Sequence, residues 1–191
     1  MEYLDAQFSA NLTHMDGLFE NSGDLDFPRK IVVDIAIHAS KCEYVLEVGC
    51  RLGLGPLVIA AMNPTKVVTG IDIVQEFIDI ANIRGKRLNN LTYLCHDMHT
   101  PLEGEYDYIF SSGTFEHFHD PETAINNIFN CLAPEGRFLF EIDLDPSGKN
   151  VSHYTSNTTP EFWLRIIEKY VENGLQYITI GNTLTVRGEK R

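Results

Sequence analysis

Tyr44-Val45-Leu46-Glu47-Val48-Gly49-Cys50-Arg51-Leu52-Gly53-Leu54-Gly55-Pro56 is the stretch on which the reading of this chain turns. An apolar run stops abruptly at a glycine-rich turn, and Pro56 then opens a second apolar run through Met62. This is the layout of a buried parallel strand, a tight turn and a helix with proline in its first turn. Glycines in such a turn let a ligand approach the backbone closely and allow positive φ at low cost. The helix N-terminus beyond it presents unpaired N–H groups and partial positive charge. The pattern suits part of a nucleotide-like cofactor. The glycines at 49, 53 and 55, with Arg51 between the first two, miss the G-x-G-x-x-G spacing of a dinucleotide fingerprint. That argues against a nicotinamide oxidoreductase. No Gly-Lys-Ser/Thr closes the turn, so it is not a phosphate-cradling P-loop either.

Residues 66–73 read as a second buried strand ending Gly70-Ile71-Asp72-Ile73, with Asp72 25 residues after Glu47. An acid at that distance, ending the second strand of a doubly wound sheet, is placed to reach ribose hydroxyls. A carboxylate suits a vicinal diol because it can accept two hydrogen bonds. The same residue could instead cap the helix read over 73–87. Residues 91–95 form a third strand followed by His96-Asp97-Met98, and residues 106–111 a fourth running into Ser112-Gly113-Thr114-Phe115-Glu116-His117-Phe118-His119-Asp120-Pro121. A helical stripe (Ala124, Ile125, Ile128, Cys131, Leu132) then leads through a turn at 132–136 into a fifth strand over 137–144.

The flanks are plainer. Residues 1–27 carry apolar positions at loosely helical spacing and read as a cap over the core, with a helix expected from Pro28 to about Ser40. Residues 146–160 form a polar loop in which His153 and Tyr154 could reach a substrate. A helix carrying Phe162, Trp163, Ile166, Ile167 and Tyr170 follows, with Gly174 expected as its cap. Alternating segments on either side of Gly181-Asn182 read as a hairpin. Strands alternating with helices predict one α/β domain over 1–191, with a cap segment at 1–27 and a core at 28–191.

Several of these motifs, in this order, resemble the class I S-adenosylmethionine-dependent methyltransferases of the small-molecule type. Glu47, Gly49 and Gly53 match that family's E/D-x-G-x-G-x-G turn, and Arg51 stands where the family usually has glycine. Phe115-Glu116-His117, Asp120-Pro121-Glu122 and Pro134-Glu135-Gly136 match its segment after the fourth strand with minor substitutions. The resemblance runs from about residue 28 to residue 144 and weakly to the end. It implies a doubly wound, mostly parallel, seven-stranded Rossmann-like sheet with a terminal antiparallel pair and helices on both faces. It also implies S-adenosylmethionine as cofactor, leaving as S-adenosylhomocysteine. The cofactor would lie against Glu47, Gly49, Cys50, Arg51, Gly53, Asp72, Ile73, Asp97, Met98, Ser111 and Ser112. In the family an acid after strand three accepts from the adenine amino group and its neighbour packs on the ring, roles that fall to Asp97 and Met98.

Methyl transfer from a sulfonium is an in-line displacement, for which the protein chiefly aligns the reactants. An O–H or N–H acceptor must also lose its proton, and His117 is the candidate base because it occupies the family's E-H position. Glu116 and His117 could equally shape the loop and the methionine end of the cofactor. His117-x-His119 lacks evident further ligands, so no metal is expected. The Arg51 and Glu135 departures leave a second reading open: a non-catalytic methyltransferase-like protein that senses the cofactor or stabilises a partner.

Composition narrows the substrate. The formal net charge is −12, with six acids and no Lys or Arg before Arg29. Such a field repels nucleic-acid backbones and anionic membranes, so a small-molecule acceptor is favoured. No apolar run reaches membrane-span length, the first ten residues are not those of a signal peptide, and the four cysteines show no paired spacing. A cytoplasmic protein is expected. Neither the acceptor nor the oligomeric state is legible.

Overall fold

The computed structural model describes residues 42–144, 159–171 and 174–191. The expected cap at 1–27, the helix after it and the loop carrying His153 and Tyr154 lie outside the described residues.

Each expected strand and helix within the described range is present. In chain order they are β1 (Tyr44–Val48), α1 (Leu54–Met62), β2 (Val67–Asp72), α2 (Gln75–Gly85), β3 (Leu91–Cys95) and β4 (Tyr106–Ser112). There follow α3 (Pro121–Cys131), β5 (Leu132–Asp143), α4 (Pro160–Ile167), β6 (Gln176–Ile180) and β7 (Thr183–Glu189). The strands form one seven-stranded sheet in the order β3-β2-β1-β4-β5-β7-β6. All neighbours pair parallel except β7, which runs antiparallel to both β5 and β6.

Helices cover both faces because both faces of the central strands are apolar. Leu46, Ile109, Phe138, Phe140 and Val186 gather with Ile125 and Phe129 of α3 and with Trp163 and Ile167 of α4. Val45, Val68, Tyr108, Phe110 and Leu139 gather with Ile59 and Ala60 of α1. Each buried side chain of this size contributes roughly 1.5–3 kcal/mol of transfer free energy. Strand β4 contributes to both faces unevenly: the register shifts between Tyr106 and Tyr108. Regular alternation would put both tyrosines on one face. The irregularity sends Tyr106 to the α3/α4 side and Tyr108 to the α1 side.

Two details differ from expectation. Strand β5 begins at Leu132, directly after α3, where a turn was expected over 132–136. The turn residues are accommodated within the strand by the same register shift, since Leu132 pairs with Tyr106 while Arg137 pairs with Tyr108. Gly174 has a positive φ of 79° but does not cap α4. That helix ends at Ile167, a single 3₁₀ turn (Glu168–Tyr170) follows, and Val171 then leaves to bridge Lys190.

Within β5, Glu135 holds a left-handed φ of 58°. A side chain costs about 1–2 kcal/mol in that conformation, against roughly 0.5–1 kcal/mol for the extra chain entropy of glycine. Glu135→Gly is therefore expected to stabilise the fold by about 0.5–1 kcal/mol, read as a raised denaturation midpoint at unchanged m-value.

Candidate functional site

Strand order reverses between β1 and β4, and in open α/β sheets ligands bind beyond the strand carboxyl ends at such a switch point. A cleft of about 730 Å³ lies there. Four loops build it, each leaving the carboxyl end of a different strand.

The first is the turn after β1. Gly49 and Cys50 donate their N–H groups to the Ile71 carbonyl, both at 2.9 Å, which pins the turn to β2. Gly49 lines the cleft with φ 78°. A Cβ there would sit 2.0 Å from the Thr114 hydroxyl oxygen, so only glycine lets the loops after β1 and β4 close this near. Arg51 also lines the cleft and keeps a left-handed φ of 47°. Gly53, with φ 80°, is the N-cap of α1, and a Cβ there would strike Ala81 and Tyr93. Helix α1 thus starts ahead of Pro56, which still falls in its first turn.

The second loop follows β2. Asp72 is buried, with 8% exposure, yet borders the cleft. Its Oδ2 accepts the Arg51 N–H at 2.8 Å and its Oδ1 accepts the Val74 N–H at 2.9 Å. The N-cap of α2 is Val74, so the acid serves the two loops and is not the helix cap. Ile73, 63% exposed, and Phe77 add an apolar lip.

The third loop follows β3 and brings His96, Asp97, Met98 and His99 to the cleft. Met98 is buried, and its carbonyl accepts from Asn127 Nδ2 at 2.9 Å, which fastens this loop to α3. The Asp97 carboxyl lies below the usual carboxylate range, chiefly because the His99 backbone N–H donates to it and secondarily because the His99 ring does. The fourth loop, after β4, supplies Gly113, Thr114, His117, Phe118 and His119.

Of the residues expected to meet a cofactor, Gly49, Arg51, Asp72, Ile73, Asp97 and Met98 line one cleft together with His117. Glu47, Cys50, Gly53, Ser111 and Ser112 lie outside its wall. Ser111 is fully buried and donates to the Val48 carbonyl at 2.8 Å, tying β4 to β1. Ser112 reaches Glu141 at 3.5 Å. Cys50 is buried against α2 and β3. Phe77, Thr114, Phe118 and the His96 and His99 pair went unassigned in the sequence. Apart from Phe77, which sits in the first turn of α2, their only signal was position just beyond a strand's carboxyl end. Among the described residues no cluster of three or more His, Cys, Asp or Glu could hold a metal ion, and no helix is long and apolar enough to cross a membrane.

Glu47 stands beneath the turn. A Cβ on Gly55 would lie 2.4 Å from its Oε2, so the carboxyl fills the space under the start of α1. That oxygen has no hydrogen-bond partner among the described residues. Burial, with a smaller contribution from the Asp72 charge, pushes its pKa up to about 8. The unfolded chain ionises near 4.5 while the folded chain keeps its proton to about 8. Folding is therefore penalised progressively between those limits, by up to about 1.4 kcal/mol per pH unit. Glu47→Gln removes that titration at nearly constant shape. The wild-type chain is expected to lose more stability than Glu47→Gln between pH 5 and pH 8, read by denaturant unfolding at both. Burial also raises Glu116, to about 7, but that residue is common to both proteins and cancels.

A parallel sheet in this strand order, reversed at β1/β4, with an antiparallel β7 and a cofactor-sized cleft at the switch point, defines a Rossmann-like methyltransferase fold. Residues 46–140 match the methyltransferase domain model, and the chain belongs to the class I S-adenosylmethionine-dependent methyltransferases. It is 32% identical over 109 residues to a malonyl-[acyl-carrier protein] O-methyltransferase of Bacillus anthracis, covering 56% of this chain and 40% of that protein. It is 29% identical over 143 residues to a ubiquinone biosynthesis O-methyltransferase of Psychrobacter arcticus, covering 71% of this chain and 53% of that one. The chain thus spans about half the length, or less, of these curated relatives. In fold it is similar to the N-methyltransferase NodS of Bradyrhizobium japonicum, at TM-score 0.71 and 20% identity, over 90% of this chain and 98% of that one.

Proposed function

We propose that this protein transfers a methyl group from S-adenosylmethionine to a small-molecule acceptor with an oxygen or nitrogen nucleophile. The observation that carries the reading is the convergence of Gly49, Asp72, Asp97 and His117, from four different strand ends, on one cleft. The cofactor supplies an already activated methyl on a sulfonium.

The chain's residues bind and align. Each Asp72 oxygen already accepts one backbone N–H, which fixes the carboxylate's orientation, and each retains a further lone pair for a ribose hydroxyl. Asp97 offers an acceptor for the adenine amine and Met98 an apolar surface for the ring. Gly49 provides bare backbone on the cleft wall for the methionine portion, and a Cβ there would push Thr114 and the loop after β4 out of place. A chain of net charge −12 suits a cationic cofactor. His117, exposed at the cleft, is placed to take the proton of the acceptor as it is methylated, a role worth roughly 10²–10⁴-fold in rate.

By their names the relatives act on a carrier-bound malonyl group and in ubiquinone biosynthesis, both as O-methyltransferases. An oxygen acceptor is the first to try. The four free thiols suit a reducing cytoplasm. Incubation with methyl-labelled S-adenosylmethionine and a panel of phenols, carboxylic acids and amines tests the activity. Label is expected on one acceptor class, with inhibition by S-adenosylhomocysteine and a fall of at least a hundredfold in kcat for His117→Ala. Tight cofactor binding with no label on any acceptor class would count against the reading and favour a non-catalytic role.

A further inference from the structure

The loops after β3 and β4 are joined across the cleft by one side chain, His99. Its ring Nδ1 lies 2.7 Å from Asp97 Oδ1, and its backbone N–H donates to the same oxygen at 2.9 Å. With the proton on Nδ1, Nε2 is left as an acceptor, and the Asp120 backbone N–H approaches it at 3.4 Å. The ring stacks on His119, with centroids 3.8 Å apart and planes 29° apart, and meets the edge of Phe118 at 5.6 Å. His99 is therefore held on three sides: by Asp97 on its own loop, by His119 and Phe118 on the other, and by the start of α3. All five residues but Asp120 border the cleft.

Both contacts from His99 fall on one oxygen of Asp97. No hydrogen bond to the other oxygen is made among the described residues, although the carboxylate is 42% exposed at the cleft wall. A lone carboxylate on a turn would rotate about its side-chain torsions and present either oxygen, or solvated both. Anchored at Oδ1, it presents Oδ2 as a fixed acceptor. Fixed acceptors discriminate between ligands because an analogue that cannot donate leaves the oxygen desolvated and unpaired.

We propose that His99 is the positioning residue that makes this site selective for a base carrying an exocyclic amine. It does so by locking Asp97 and bracing the loop after β3 against the loop after β4. The inference rests on the S-adenosylmethionine reading of the cleft. It assigns to His99 no contact with the cofactor itself.

The test compares affinities for S-adenosylhomocysteine and for its 6-oxo counterpart, S-inosylhomocysteine, in the wild type, His99→Ala and His99→Asn. The wild type is expected to prefer the amine-bearing ligand by at least tenfold. In His99→Ala that preference should shrink to about threefold or less, through weaker binding of S-adenosylhomocysteine with little change for the analogue. His99→Asn, whose amide can still donate to Asp97 Oδ1 but cannot stack on His119, should restore most of the preference. A residue that merely supports the loop would weaken both ligands alike. An unchanged ratio in a folded His99→Ala therefore overturns the inference while leaving the cofactor site standing. Failure of the wild type to bind either ligand overturns both.

Discussion

Gly49→Ala is expected to lower the melting temperature by roughly 5–20 °C and to abolish measurable cofactor binding. Two costs combine. The backbone at Gly49 has φ 78°, which costs an alanine about 1–2 kcal/mol. The new Cβ would also meet Thr114 Oγ1 at 2.0 Å, Cγ2 at 2.6 Å and Cβ at 2.8 Å, and overpacking of this kind costs about 1–3 kcal/mol. A threonine is short and branched, so it cannot swing away as a lysine could. The loop after β4 must move as a whole, and that loop carries His117. Thr114→Ala in the Gly49→Ala background removes the two nearest atoms but leaves the Cβ. It should recover part of the melting temperature and not the strain in φ. Thermal melts of the two single variants and the double variant separate the contributions. If Gly49→Ala melts with the wild type, the close approach of the two loops is not a constraint on the fold.

Asp72→Asn is expected to weaken S-adenosylhomocysteine binding by about a hundredfold, nearly as much as Asp72→Ala. The amide is isosteric, and where an acid acts by shape or by one acceptor it often suffices. Here both oxygens are already committed, one to the Arg51 N–H and one to the Val74 N–H. Whichever way the amide is turned, its NH₂ faces a backbone donor. That leaves one N–H unsatisfied, at about 1–3 kcal/mol, and loosens either the loop carrying Arg51 or the start of α2 at Val74. The charge that would bind the ribose hydroxyls is lost as well, and hydrogen bonds to charged groups are worth about 1.5–3 kcal/mol each. Together these give the hundredfold, since each tenfold is about 1.4 kcal/mol. Retention of wild-type affinity by Asp72→Asn would show that Asp72 anchors loops without touching the ligand.

The succession of strands and helices was legible because buried parallel strands leave continuous apolar runs, with carboxyl ends marked by Gly49, Asp72, Asp97 and the 112–120 segment, whereas the seven-stranded sheet followed from the family resemblance. The two departures from the family pattern were visible as letters, but not in their effect. Arg51 and Glu135 stand where the family has glycine, and both keep the positive φ that glycine would supply, 47° and 58°. The backbone path of the turn survives while the side chain changes. A sequence alone cannot tell whether a lost glycine means a lost turn or a strained one.

The candidate residues and the cleft lining differ in two directions. Glu47, Gly53 and Ser111 belong to motifs at or near the glycine-rich turn, and their contacts lie beneath it: Glu47 under Gly55, Gly53 against Tyr93, Ser111 on the Val48 carbonyl. A motif records what a turn needs in order to form as well as what it binds, and the letters do not separate the two. His99 shows the opposite case. Its partners His119 and Asp120 are twenty or more positions away, so nothing local in the sequence announces the brace.

Isothermal titration of the purified wild-type chain with S-adenosylhomocysteine tests the central claim most directly. The cleft predicts saturable binding at one site with a dissociation constant in the micromolar range. No heat and no thermal shift at millimolar ligand would contradict it, and would mean that the cleft at the β1/β4 switch point is not a cofactor site in this protein.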